Sequence, residues 1–179
     1  MPLSLSRRIR SRARSRGFTV LELMVAVAVA AILLGVGIPS YQRFIATQRV
    51  KTAVSALQYT LVFARSEAIK RNVPVIVAPV GNCWQSGWTV DIDSDSNGFA
   101  DGIILNRQDA YPDLSVRTAT SPSGSIIFNG EGRIAGTATP FQISSVRSTD
   151  VATRCVSLDL SGTPATQLAA CRTAVVACS

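Results

Sequence analysis

An apolar run of 21 residues near the N-terminus, from Phe18 to Ile38, constrains this chain more than any other feature. As a helix it would extend about 31 Å, which matches the ~30 Å hydrocarbon thickness of a bilayer. Glu22 is the one charged residue within it. Because the run continues through Pro39 into a further helical pattern, without a clear small-residue cleavage site, a retained membrane-spanning helix is favoured over an ordinary secretory signal peptide.

A basic leader precedes this run and contains no acidic residue. Its six arginines are Arg7, Arg8, Arg10, Arg12, Arg14 and Arg16. The formal net charge is +7, but the other 12 basic and 11 acidic residues leave a net charge of only +1 for the rest of the chain. The basicity therefore belongs to the leader and does not indicate a nucleic-acid-binding body. The positive-inside rule places the arginines in the cytoplasm and the chain after Tyr41 across the membrane, in the periplasm.

The residue types that are missing argue against catalysis. The sequence has no histidine, the commonest general base and metal ligand in proteins. Its four cysteines, Cys83, Cys155, Cys171 and Cys178, form no CxxC pair, so zinc is disfavoured and an oxidising compartment is favoured. A catalytic cysteine would have no histidine to generate its thiolate. We therefore expect a structural protein without a cofactor and not an enzyme.

Helical periodicity continues beyond the apolar run. Apolar residues alternate at spacings of four and three, at Val50, Val54, Leu57, Leu61, Ala64 and Ala68. This stripe predicts an amphipathic helix that docks on the following domain. One helix is expected from about Phe18 to Arg71. Pro39 should kink it without ending it, because proline lacks a backbone donor, and Asn72 and Pro74 should end it.

From Val73 onward the chain consists of short β-type runs separated by Gly, Pro, Asn and Ser. The predicted strands are Val75–Ala78, Gly87–Ile92, Ile103–Asn106, Ser115–Thr118, Ile126–Asn129, Phe141–Ser144, Arg154–Leu160 and Gln167–Arg172. The predicted fold class is α+β, with one long N-terminal helix packed on an antiparallel β-sheet domain. The length of 179 residues suits one such domain.

The segment Gly17-Phe18-Thr19-Val20-Leu21-Glu22-Leu23-Met24-Val25 resembles the class III signal of type IV pilins and type II secretion pseudopilins. The resemblance implies that prepilin peptidase cleaves between Gly17 and Phe18 and methylates the amino group of Phe18. Glu22 and Pro39 also stand where the family has them. In the family this glutamate is thought to meet the N-terminal amine of a neighbouring subunit during filament assembly. A solvated glutamate at the membrane interface is the alternative.

The assembly role is favoured because a carboxylate within a bilayer costs about 2.5–3.5 kcal/mol near the centre, and less near an end, so Glu22 requires a partner.

The body of the chain resembles the GspH/FimT family, which contains the H pseudopilin of type II secretion and the FimT/FimU minor pilins. The resemblance lies in Ser66–Arg71, Trp84–Val90, Ile126–Asn129 with Gly132-Arg133, and Phe141–Ile143. It implies a type IV pilin-like fold. The expected division is a leader at 1–17, a transmembrane assembly helix at 18–39, its amphipathic continuation at 40–72 and a periplasmic β-sheet domain at 73–179.

The expected function is that of a minor pilin, with an H-type pseudopilin or a DNA-binding adhesive tip subunit as alternatives. Ser66–Arg71 and the cysteine-bearing C-terminus favour the minor pilins. The implied partners are other pilin or pseudopilin subunits, prepilin peptidase and the bacterial inner membrane.

Three complete disulfide pairings are open to the four cysteines. Cys155 and Cys171 flank a predicted hairpin, which favours a bridge between them. Cys83 and Cys178 would then pin the C-terminal tail to the start of the sheet.

Alternating acidic residues between the second and third predicted strands resemble an interrupted calcium loop. The candidate ligands are Asp91, Asp93, Asp95 and Asp101, with Asn97 and Gly98 between them. An EF-hand loop needs glycine at position six and an acid at position twelve. Counting from Asp93, Gly98 meets the first condition but Ile104 fails the second. A polar hairpin loop is therefore the favoured interpretation.

DNA binding by FimT-type members uses a Gly-Arg-x-Arg motif in the C-terminal region. The corresponding stretch here is Ser161–Ala165, in which Gly162 matches, while Thr163 and Ala165 replace the arginines. Together with a body charge of only +1, this argues against strong DNA binding. The remaining candidates for DNA contact are Arg133, Arg147, Arg154 and Arg172, against the simpler interpretation that they are scattered surface arginines.

Overall fold

The computed structural model describes residues 17–119, 124–137 and 139–172. Within these ranges the chain forms one α-helix, α1 (Val20–Arg71), followed by β-strands. The chain divides into two units at the boundary between Ser40 and Tyr41. Each unit is considered by itself.

The first unit contains the apolar beginning of α1, which is long and apolar enough to cross a membrane. The helix runs through Pro39, although proline cannot donate to the carbonyl four residues earlier, at Gly35. Next to Pro39, the Ser40 hydroxyl adds a hydrogen bond within the helix by donating to the carbonyl of Val36 at 3.2 Å. The prediction that Pro39 lies inside the helix is confirmed, and the kink at this residue stays a prediction.

The second unit contains the rest of α1 and two antiparallel sheets. The strands are β1 (Val75–Pro79), β2 (Trp88–Ile92), β3 (Ile104–Gln108), β4 (Leu114–Thr118), β5 (Ile126–Phe128), β6 (Ile134–Ala135), β7 (Phe141–Ser145), β8 (Arg154–Leu158) and β9 (Pro164–Gln167). The five-stranded sheet has the order β3-β2-β1-β5-β6 and the four-stranded sheet the order β4-β7-β8-β9. Two short 3-10 turns, Val80–Asn82 and Trp84–Ser86, connect β1 to β2.

One hydrophobic core joins the helix to both sheets. The buried apolar residues of α1 include every member of the predicted stripe and are Val50, Ala53, Val54, Leu57, Leu61, Ala64 and Ala68. They pack in one cluster with side chains of the five-stranded sheet, such as Phe128, and of the four-stranded sheet, such as Phe141. Trp84 lies with its ring edge against Phe141 at a centroid distance of 4.7 Å. The predicted α+β fold is therefore confirmed.

The predicted last strand, Gln167–Arg172, is wrong. The structure places β9 at Pro164–Gln167, paired with β8 so that Pro164 lies opposite Leu158. The reason is the tight turn between them, in which the Asp159 carboxylate accepts hydrogen bonds from the Ser161 hydroxyl at 2.6 Å and the Thr163 N–H at 2.9 Å. The turn ends at Thr163 and the strand follows at once.

Other differences are small. The sequence did not predict β6, which has only two residues, and β8 ends at Leu158 where a strand to Leu160 was expected. The end of α1 matches the prediction, since Asn72 adopts a left-handed conformation with φ of 54° immediately after Arg71. Asparagine is one of the residues that tolerates this conformation at a helix C-terminus.

Candidate functional site

Thr19 caps the N-terminus of α1. Its Oγ1 accepts a hydrogen bond of 3.2 Å from the N–H of Glu22, and its carbonyl accepts another from the N–H of Leu23 at 3.2 Å. A threonine followed three residues later by a glutamate is the capping-box pattern, which satisfies N–H groups that a helix start leaves free. Gly17 and Phe18 precede the helix, in irregular backbone. The Gly17–Phe18 peptide bond is therefore outside the helical hydrogen-bond ladder.

The Glu22 side chain lies exposed at the start of α1. Among the described residues, no hydrogen bond or ion pair reaches its side chain, and the residue is exposed. It lies in the first turn of α1, where the helix dipole favours a negative charge. Its backbone contributes to the cap, while its charge is left for another group.

The stem, defined as residues Phe18 to Ile38, exposes apolar side chains on every side. Phe18 is 72% exposed, and the other large exposed side chains are Val20, Leu21, Leu23, Met24, Val25, Val27, Val29, Ile32, Leu33, Leu34, Val36 and Ile38. A helix that is apolar all round belongs in lipid or among other helices. The stem therefore presents a surface that is suited to contact with lipid or with other helices.

Arginine–aspartate pairs tie the second part of α1 to the loops of the head, which is the second unit after Arg71. Asp113, which precedes β4, forms ion pairs with Arg49 of α1 and with Arg147 of the β7–β8 connection, the latter at 2.5 Å. The Asp113 side chain is only 17% exposed. Arg43 pairs with Asp150 of the same connection at 3.1 Å. Arg147, a candidate for DNA contact, is thus engaged in an ion pair between two loops of the head.

The structure brings three of the four candidate calcium ligands together. Carboxylate oxygens of Asp93, Asp95 and Asp101 lie within 4.8 Å of one another, and Asp91 lies apart from them in β2. Asp93 accepts hydrogen bonds from the N–H groups of Asn97 at 3.0 Å and Gly98 at 2.9 Å.

Asp101 Oδ2 accepts from the N–H of Ser94 at 2.8 Å and from its hydroxyl at 2.5 Å. The hydrogen bonds from Ser94 lower the pKa of the Asp101 carboxyl. The carboxylates thus hold the loop in its conformation, and metal binding by Asp91, Asp93, Asp95 or Asp101 stays a prediction.

A disulfide joins Cys155 of β8 to Cys171 in the tail that follows β9, with Cα atoms 5.1 Å apart. The N–H of Cys171 donates to Oε1 of Gln142 on β7 at 3.1 Å. The tail is therefore tethered to the two central strands of the four-stranded sheet, and the structure contains the expected bridge although the second strand of the predicted hairpin is misplaced. The other proposed bridge, Cys83–Cys178, ends at a residue outside the described part of the chain and stays a prediction.

The arginines proposed for DNA contact have different surroundings. Arg154 and Arg172 are each adjacent in sequence to a cysteine of the Cys155–Cys171 bridge, which brings these two to one region. Arg133 lies in the β5–β6 turn of the other sheet. DNA contact by these residues stays a prediction.

Sequence reasoning overlooked Arg65, whose Nη1 donates to Oγ1 of Thr163 at 3.2 Å. Thr163 is one of the two residues that replace an arginine of the DNA-binding motif. The signal was available in principle, because Arg65 adjoins the buried Ala64 in the helical stripe.

Comparison with known proteins agrees with this architecture. Residues 53–162 match the family described as type II transport protein GspH, and residues 12–38 match the prokaryotic N-terminal methylation motif. Two fimbrial proteins of Pseudomonas aeruginosa are 31% and 30% identical to this chain over 113 residues, which is 63% of this chain and 73% of each relative.

Two crystal structures of the type IV minor pilin FimU of Pseudomonas aeruginosa superpose with TM-scores of 0.59 and 0.58. They are 21% and 20% identical in sequence, and the alignments cover 73% and 69% of this chain and 98% of FimU. At this identity the likeness shows a common fold.

Proposed function

Because this chain belongs to the GspH family of type IV minor pilins and pseudopilins, we propose that it is a minor pilin that is incorporated into a type IV pilus or primes its assembly. The observation that carries the proposal is the stem, whose apolar side chains are exposed all round and whose Glu22 carboxylate has no polar partner among the described residues. A subunit with this surface requires either a bilayer or a bundle of like helices.

Processing is the first step of the proposal. Prepilin peptidase cleaves between Gly17 and Phe18 on the cytoplasmic side and methylates the new amino group of Phe18. Two observations support this step: the match to the N-terminal methylation motif over residues 12–38, and the irregular backbone of Gly17 and Phe18, which precede the helix. Before assembly the subunit spans the inner membrane once, with the arginine leader in the cytoplasm and the β-sheet head in the periplasm.

Assembly is the second step. Lateral packing of stems against one another keeps apolar side chains out of water once subunits leave the bilayer. The negative charge of Glu22 pairs with the N-terminal amine of a neighbouring subunit, because an unpaired carboxylate in an apolar bundle is costly. The cap at Thr19 supports this step, because it uses the backbone N–H of Glu22 and no hydrogen bond from residues 17–119, 124–137 or 139–172 engages the carboxylate.

The assignment to a type IV pilus, and not to a type II secretion system, is based on the relatives of this chain. The sequence relatives at 31% and 30% identity are fimbrial proteins, which supports a pilus. The family name refers to type II transport, which keeps the H-type pseudopilin as the alternative. Deletion of the gene followed by separate assays of surface pili and of protein secretion distinguishes them. Loss of secretion with normal piliation would show that the subunit belongs to the type II secretion system and not to a pilus.

The processing step is tested by intact-mass spectrometry of the full chain from cells that contain prepilin peptidase. The expected mature chain begins at Phe18 and carries one methyl group. A Gly17→Val substitution should leave the precursor uncleaved. Gly35→Ala, a glycine substitution within the stem, is the matched control, because a Cβ at Gly35 meets nothing within 4 Å. Any other mature N-terminus would remove the proposal.

The assembly step is tested at Glu22. Glu22→Gln retains a side chain that can complete a capping box, whereas Glu22→Ala does not. If the charge of Glu22 pairs with a neighbour, both variants should be processed normally but lost from sheared filaments. Normal incorporation of Glu22→Gln would show that assembly does not require the charge of Glu22.

A further inference from the structure

The edge of β3 is the most open strand edge in the described part of the molecule. The two sheets have four edge strands: β3 and β6 in one, β4 and β9 in the other. β6 has only two residues, and β9 begins with Pro164. β4 is approached by the 3-10 turn at Trp84–Ser86, since the Tyr111 N–H donates to the carbonyl of Gln85 at 2.9 Å just before this strand. β3 has five residues, no proline and only β2 as a neighbour.

Apolar side chains surround this edge. Ile103 and Ile104 are each 53% exposed, and Phe99 in the preceding loop is 75% exposed. Leu105, next along the strand, packs against the core, so β3 is anchored by one residue while its neighbour faces outward. An edge strand with exposed isoleucines is the kind of edge that natural proteins normally protect.

The surroundings of β3 are acidic. The sequence contains no Lys or Arg from Asn72 to Asn106, whereas Asp95 and Asp101 lie on the loop before β3 and Asp109 directly follows it. The Asp109 side chain is 94% exposed, and its contact with Arg107 is loose, at 4.0 Å. Arg107 is the one basic residue between Asp93 and Asp109, so four aspartates leave this segment with a net negative charge.

We propose that the β3 edge receives an extended segment of a different protein, rich in apolar and basic residues, which adds to the five-stranded sheet as a further strand. Main-chain hydrogen bonds to the open edge would supply affinity, and Ile104, Asp101 and Asp109 would select the side chains. The charges argue against a second copy of this chain as the partner, because pairing of two β3 strands would bring together two segments of the same net negative charge. This surface lies outside the stem, and the inference is independent of the processing and assembly roles proposed above.

The experiment uses the full chain in a nonionic detergent and a fluorescent peptide that alternates lysine with valine. Fluorescence anisotropy measures binding, and backbone hydrogen exchange locates it. The expected result is slower exchange in Ile104–Gln108 with no change in β9. A peptide with N-methyl groups on alternate residues cannot complete the ladder and should not bind, and a peptide with glutamate in place of lysine should not bind either.

Two variants distinguish binding of the peptide at the β3 edge from nonspecific contact elsewhere. Ile104→Lys should weaken peptide binding at least about tenfold, because it removes an apolar contact and adds a repelling charge. Val146→Lys, at another exposed apolar residue, is the matched control and should stay within about twofold of the unsubstituted chain. Near-UV circular dichroism confirms that both variants are folded.

Several results would overturn the proposal. Equal binding of the glutamate peptide would exclude charge complementarity, and unchanged exchange in β3 would place the peptide elsewhere. Self-association of the full chain that Ile104→Lys abolishes, measured by sedimentation in the same detergent, would assign the edge to a second copy instead.

Discussion

The indole Nε1 of Trp88 donates a hydrogen bond to Oγ1 of Thr60 at 3.0 Å inside the core. Thr60 in turn donates to the carbonyl of Ala56 at 2.8 Å, so its hydroxyl is used as both acceptor and donor. Trp88 is 1% and Thr60 2% exposed. This short chain of hydrogen bonds joins β2 to α1 and adds a directional contact to a core that is otherwise apolar.

Replacing Thr60 with valine should lower the free energy of unfolding by about 1–3 kcal/mol, because the Trp88 N–H is left buried without an acceptor. Thr60→Ser should restore most of the loss. The measurement is urea unfolding of the full chain followed by tryptophan fluorescence. Thr47→Val is the control, since the Thr47 hydroxyl also bonds to a helix carbonyl but in an exposed setting. Equal losses in the two valine variants would assign the effect to the helix alone.

Removing the Cys155–Cys171 bridge with a double substitution to alanine should lower the free energy of unfolding by about 2–4 kcal/mol, because the unfolded chain gains freedom. Gln142→Ala is the comparison, since it removes the acceptor of the Cys171 N–H and leaves the bridge intact. It should cost about 1 kcal/mol. Chemical denaturation of both variants under non-reducing conditions gives the two values, and equal values would contradict the predicted contribution of the bridge.

Gly162→Ala should destabilise the head more than Gly102→Ala. Both glycines have positive φ, +77° and +80°, so alanine is strained at either position. A Cβ at Gly162 would also lie 2.6 Å from the carbonyl oxygen of Gly132, whereas at Gly102 it would meet nothing within 4 Å. The added contact should cost about 1–3 kcal/mol beyond the shared backbone penalty, measured by thermal or urea unfolding. Similar losses would mean that the turn containing Gly132 moves aside.

Two carboxyls with a lowered pKa, those of Asp101 and Asp159, should make stability fall at low pH. Hydrogen bonds from Ser94 lower the pKa of Asp101, and hydrogen bonds from Ser161 and Thr163 lower that of Asp159. A carboxyl whose pKa is lower in the folded state contributes stability above its unfolded pKa of about 4, and loses it as the pH falls through the folded value. These two carboxyls should therefore leave the unfolding midpoint unchanged between about pH 5 and 7 and should lower it below about pH 4.

Asp101→Asn should make that decrease shallower, because it removes one of the titrating groups. Asp109→Asn, a substitution at an exposed carboxylate with only a 4.0 Å contact to Arg107, is the control. An identical acid profile for Asp101→Asn and the unsubstituted chain would show that Asp101 is not linked to folding.

Local signals were sufficient for most of the elements. The spacing of Val54, Leu57 and Leu61 predicted a helix face that the structure buries entirely, because a helix period brings such residues to one side whatever the rest of the chain does. The same holds for strands such as Val75–Pro79, where β-branched residues lie between turn residues. The last strand was misplaced because its start depends on the Asp159 turn, whose hydrogen bonds are formed by polar side chains that leave no periodic pattern.

Some residues of the candidate site could likewise be predicted from the sequence and others could not. The Gly17–Phe18 junction and Glu22 are recognisable in sequence because they belong to a contiguous motif. Asp113 was overlooked, since its partners Arg49 and Arg147 are distant in sequence and meet only through the fold. The open edge of β3 was not predicted either, because the order of strands in a sheet depends on pairing between segments that are distant in sequence.

The amino-acid sequence by itself determined the apolar stem, the length of α1, the α+β class and the region of each longer strand, because hydrophobic periodicity and turn residues act between near neighbours in the chain. Only the tertiary structure decided the division into two sheets, the order of their strands, the Trp88–Thr60 contact and the exposure of Ile104. These depend on which distant segments pack together, and packing is settled by the joint burial of the whole core and not by any one segment.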